Sequence, residues 1–97
     1  RDIGVALAWD VADFPAAWLW HEIASPGYPF YGRACLVAIE PTSSWPGDGL
    51  ASAAERGQAT TLAAGESRST TVAMIPFAVC GRPVVGATVD GHIEFGG

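Results

Sequence analysis

The chain has 97 residues, room for one small domain at most. Hydrophobic residues make up 49% and charged residues only 15%, which excludes a disordered, solvating chain. There is no Lys; five Arg face ten Asp and Glu, for a net charge of −5, the wrong sign for a generic nucleic-acid or anionic-membrane binder.

Other classes fall away quickly. No apolar run approaches the ~20 residues of a membrane-spanning helix, and no basic-then-apolar leader opens the chain. Cys35 and Cys80 are too few for a disulfide framework and lack zinc-ligand spacing. They read as reduced core residues of a cytoplasmic protein, with a single bridge as the alternative. Four Trp, four Phe and two Tyr are a heavy aromatic load for so short a chain. Either some rings line a binding surface, or another part of a larger protein covers them. The chain starts on Arg1, which agrees with an excised segment.

Taken in order, the elements are short alternating runs broken by Gly, Pro and Asp, an antiparallel β pattern. Residues 2–9 place Ile3, Val5, Leu7 and Trp9 on one face and Gly4, Ala6 and Ala8 on the other. Residues 16–23 alternate Trp18 and Trp20 against Leu19 and His21. Pro26 and Pro29 make the next stretch a loop. Residues 33–40 place Cys35, Val37 and Ile39 on one face and Leu36, Ala38 and Glu40 on the other, and Pro41 is expected to stop the ladder. A short helix is expected from about Gly49 to Arg56, with Asp48 as N-cap and Gly57 as the left-handed stop. Residues 58–63 and 67–75 read as a strand pair around Ala64-Gly65-Glu66. Residues 84–89 and 92–95 flank Asp90-Gly91, a two-residue hairpin loop. About seven strands in a single domain, 1–97, result.

Few residues carry chemistry. Glu40 ends an apolar strand, and Pro41 restricts it to extended backbone, so its carboxylate leaves the strand end at a set angle. Beside apolar neighbours it suits general acid/base work; equally, it is a solvated rim residue. His21 follows Trp20 and could exchange hydrogen bonds with a polar ligand, or simply form a local bond on a half-exposed strand. Trp18, Trp20, Tyr28, Phe30, Tyr31 and Trp45 cluster in sequence around the Pro/Gly loop and the Glu40 strand. Such rings stack on sugar C–H faces, and they also make ordinary sandwich core. Arg33 could clamp a polar substrate or pair with Glu22 or Glu40. No phosphate loop, nucleophile elbow or metal-ligand cluster stands out.

The segments Trp18-Leu19-Trp20-His21-Glu22, Gly27-Tyr28-Pro29-Phe30-Tyr31-Gly32-Arg33 and Val37-Ala38-Ile39-Glu40-Pro41 occur in this order. With Gly49-Leu50 and Leu62-Ala63-Ala64-Gly65-Glu66-Ser67, they resemble the C-terminal portion of aldose 1-epimerase (galactose mutarotase-like) proteins over roughly residues 3–76. The resemblance implies an all-β fold, an antiparallel β-sandwich forming part of a supersandwich, with one short helix. It implies interconversion of α and β anomers of an aldose, with no cofactor. A Glu takes the proton of the anomeric hydroxyl while a His protonates the ring oxygen; the ring opens and recloses. Glu40 matches the base. His21 stands where related proteins commonly carry a sugar-contacting Gln or Asn, and Trp20, Tyr31 and Arg33 are the further sugar contacts expected from their own chemistry. The family's acid His lies upstream of the matched part, so the implied partner, besides a monosaccharide or sugar derivative, is a missing upstream segment or a second copy. The alternative is a non-catalytic sugar-binding or oligomeric interaction module.

Overall fold

The computed structural model describes residues 2–45 and 47–97. The alternating runs become six strands: β1 (Ile3–Trp9), β2 (Ala16–Ile23), β3 (Cys35–Thr42), β4 (Val72–Ala78), β5 (Val84–Ala87) and β6 (Ile93–Phe95). A single short helix, α1 (Leu50–Glu55), lies between β3 and β4. The all-β class with one short helix is therefore what the chain adopts. The strands pair antiparallel as β1–β4, β2–β3 and β5–β6, three separate two-stranded sheets.

Several local expectations change. Residues 58–71 form no strand; the Thr-rich stretch enters the sheet only at Val72, as the partner of Trp9. Ala63 and Glu66 close a turn instead: the Glu66 N–H donates to the Ala63 carbonyl (3.0 Å), and the Ala63 N–H donates to the Glu66 carboxylate (2.9 Å). Those bonds take the groups a ladder would need. Pro41 does not stop β3, which continues to Thr42 with Pro41 opposite Ala17. In a two-stranded sheet every strand is an edge, and an edge tolerates a residue without an N–H.

Asp48 does not cap α1. Gly49 takes the N-cap position with no side-chain bond, and Asp48 turns to Arg56, which donates from Nη1 to Oδ2 at 2.6 Å and from Nη2 to Oδ1 at 3.0 Å. At the other end Gly57 (φ 72°) stops the helix as expected. Its N–H bonds Ala54 O and that of Gln58 bonds Ala53 O, the paired bonds of a Schellman motif. The β5–β6 connection is longer than two residues. Thr88 N–H donates to His92 O and Gly91 N–H to Thr88 O, with Gly91 at φ 93°, a three-residue turn closed by a bulge. The Thr88 hydroxyl also donates to Asp90, which holds that carboxyl below its ordinary pKa.

The three sheets do not condense around one centre. The radius of gyration is 17.2 Å, against about 13 Å for a compact chain of this length. Among the described residues only Ala8 and Ala53 are buried. The β1–β4 sheet covers its small-residue face, where Ala8 sits among Gly4, Ala6, Ala73, Ile75 and Phe77. The large residues of the other face stay largely open: Met74 is 72% exposed and Val5 59%. The core half of the cysteine reading is overturned: Cys35 and Cys80 are both exposed, and both are free. No helix among the described residues is long and apolar enough to cross a membrane.

Candidate functional site

The β2–β3 ladder sorts the expected site residues by face. Its register sets Trp18 opposite Glu40, Trp20 opposite Ala38, and Glu22 opposite Leu36. Directly opposed residues of an antiparallel pair share a face, and neighbours along a strand alternate. Trp18, Trp20 and Glu40 therefore project from one face. His21 is opposite Val37 and projects from the other, beside Leu19, Ile23, Cys35 and Ile39. Glu40 and His21 cannot contact the same small molecule from opposite sides of this sheet.

Trp18 belongs to the aromatic cluster of the sequence but not to the expected sugar contacts, and the register sets it directly opposite Glu40. Its indole N–H donates to Ser44 O at 3.1 Å, which swings the ring over the turn after β3. A side chain at Gly47 would meet that ring at 2.8 Å, so glycine there lets the chain pass beneath it. Strand alternation already puts Trp18 and Trp20 together; only the cross-strand register brings Glu40 to them. Trp20 leans the other way, toward Phe30, with ring centroids 5.9 Å apart. Trp18 and Trp20 are both partly exposed, at 40% and 44%.

Tyr31 and Arg33 belong to the loop joining β2 to β3. Ala24 N–H to Ala34 O, Gly32 N–H to Ser25 O and Tyr31 N–H to Gly27 O close this loop, and Tyr28-Pro29 is a cis peptide within it. Tyr31 adopts the left-handed region (φ 49°) and meets Tyr28 edge-on, centroids 6.2 Å apart. The loop stands at the Cys35 end of β3, whereas Glu40 lies five residues along, roughly 17 Å at strand rise. Arg33 pairs with neither acidic candidate: the ion pairs among the described residues are Arg56–Asp48 and Arg68–Asp13. Glu22 instead accepts the Ser25 N–H at 2.6 Å.

The five candidates thus divide into three places: Glu40 with Trp20 (and Trp18), His21 behind them, and Tyr31 with Arg33 at the far loop. Among the described residues no three His, Cys, Asp or Glu side chains gather to hold a metal ion. What Glu40 can do chemically is accept a proton or a hydrogen bond from a hydroxyl presented to this face. Comparison with family models, with curated proteins and with solved structures finds no match to this chain.

Proposed function

We propose that the chain contributes the sugar-contacting face of an aldose 1-epimerase-like anomerisation site. The observation that carries this reading is the Trp18–Glu40 cross-strand pair with Trp20 on the same side: two indoles and one carboxylate project from one face of β2–β3. An aldose laid on the indoles presents its C–H face to the rings and a hydroxyl to Glu40. Glu40 then takes the proton of the anomeric hydroxyl as the C1–O5 bond opens, and returns it on reclosure after rotation about C1–C2. The proton for the ring oxygen has to arrive from the opposite side of the sugar, from water or from a second protein surface, since His21 is behind the sheet.

A single positioned base contributes about 10²–10⁴-fold in rate. Anomer exchange of an aldose, followed by NMR with the protein and with Glu40→Gln, tests the reading. A Glu40-dependent acceleration of about 10²-fold is expected; equal rates at the spontaneous level overturn it.

One further observation favours a second reading, self-association. The open faces of β1–β4 and β2–β3 border a common apolar trough of about 410 Å³, lined by Val5, Leu7, Val37, Ala38, Ile39 and Met74. Leu19 (67% exposed) lies beside Val37 (63%) and Ile39 on the same face, and the trough's lining carries no charge. Two copies could meet there without opposing like charges despite a net charge of −5 on each.

A further inference from the structure

A second concavity lies apart from the Trp20–Glu40 face and differs from it in chemistry. Four loops that are distant in sequence converge: the β1–β2 turn, the turn after β3, the segment after α1 and the approach to β4. They enclose two adjoining lobes of about 250 and 210 Å³, and Asp13, Ser43 and Thr60 line both. One lobe adds Phe14 and Arg68, the other Trp45. Neither contains Glu40 or Trp20.

The walls are tied in place. Arg68 donates from Nη2 to Asp13 Oδ1 at 3.0 Å across 55 residues of sequence. The turn that carries Asp13 is held by Asp13 and Phe14 N–H groups donating to Asp10 O (3.1 and 3.0 Å). It is held also by the Asp10 carboxylate accepting from Ala12 N–H (2.8 Å) and by the Trp9 indole donating to Phe14 O (3.0 Å). On the opposite wall, the Schellman bonds of Gly57 and Gln58 set the course of the chain into Thr60. A site assembled from rigid turns needs little ordering when a ligand enters.

The lining also selects the ligand class. The Asp13–Arg68 pair is neutral as a unit, yet it keeps a second carboxylate oxygen as acceptor and further guanidinium N–H groups as donors. Ser43 and Thr60 add hydroxyls that both donate and accept. A phosphate or carboxylate ligand at Arg68 would lie against the like charge of Asp13, and a cation at Asp13 against that of Arg68, so the pair favours neither ion. Adjacent hydroxyls of an uncharged ring satisfy both partners without breaking the pair, while Phe14 and Trp45 offer apolar surface to its C–H groups. Each lobe is below the about 300–1,000 Å³ of drug-sized pockets, matching a single ring.

We propose that this Asp13–Arg68 cleft binds a neutral polyhydroxylated ring compound bearing vicinal hydroxyls, at a site separate from Glu40. The test is an amide-resolved NMR titration of the 97-residue chain with myo-inositol, with hexa-O-methyl-inositol and sodium sulfate as controls. Saturable shifts with inositol at Ser43, Thr60 and Arg68, absent with the methylated compound and not competed by sulfate, are the expected result. Asp13→Asn and Thr60→Val should each weaken binding about tenfold. Thr60→Val leaves the ion pair alone, and retained peak dispersion identifies variants that still fold. Glu40→Gln should leave the titration unchanged, so loss of the anomerisation reading would not remove this one. No shifts with inositol, equal shifts with the methylated control, or displacement by sulfate overturns the proposal.

Discussion

The ring of Phe77 fills the space that a side chain on Gly4 would occupy: a Cβ built there falls 2.3–2.9 Å from three ring carbons. The two residues are register partners across β1–β4, so the ring reaches over the opposing backbone at Gly4. The same ring meets Phe95 of β6 edge-on at 5.7 Å, linking two of the three sheets. Gly4→Ala should therefore displace Phe77 from both contacts and cost about 1–3 kcal/mol. Urea denaturation of the variant against the parent chain measures it; an unchanged midpoint would show that the ring is not packed there.

The end of α1 offers a second measurement. Gly57 holds φ 72°, where a Cβ is penalised but nothing crowds the space around it. Gly57→Ala should lower stability by about 1–2 kcal/mol through backbone conformation alone. Gly57→Asn, which tolerates the left-handed region better, should lower it less.

The Asp48–Arg56 pair sets a pH dependence of definite sign. The hydrogen bond from Arg56 holds the Asp48 carboxyl below its ordinary value. Such a group binds its proton less tightly folded than unfolded, so the pairing adds stability above the unfolded value and loses it as pH falls through the folded one. Amide protection over residues 50–55 should be constant from neutral pH to about pH 4 and decline below it. Asp48→Asn should remove that step. Both groups are exposed, so the change is small; protection rising on acidification would contradict the assignment.

The two thiols report on self-association. Cys35 lies on the Leu19–Val37–Ile39 side of β2–β3, whereas Cys80 follows β4. In a dilute monomer both should react rapidly with an aromatic disulfide reagent. As protein concentration rises, Cys35 alone should become protected, in step with a mass increase by sedimentation. Val37→Asp should restore its reactivity. A constant monomer mass with both thiols reactive would remove the second reading.

Much of this chain was legible from residue order. Alternation located β1, β2, β3 and the β5–β6 hairpin within a few residues, because a strand's two faces are written directly as a period of two. Gly57 announced the end of the helix because only a left-handed residue closes that geometry cheaply. The failures share one cause: they concern partners. Nothing local to the Thr-rich stretch says that β4 joins β1 rather than folding back on residues 58–63. Nothing local to Asp48 says that Arg56 outcompetes the helix N-terminus for its carboxylate.

The division is sharpest at the candidate sites. Sequence by itself determined that Trp18 and Trp20 share a face, that His21 does not, and that the molecule is β-rich and acidic. Tertiary structure alone decided that Glu40 stands opposite Trp18, that Tyr31 and Arg33 lie at the other end of the hairpin, and that Asp13 meets Arg68 across the chain. Those are choices of register and loop convergence between segments far apart in sequence. They follow from which backbone groups find each other in space, and side-chain alternation along one strand carries no record of that pairing.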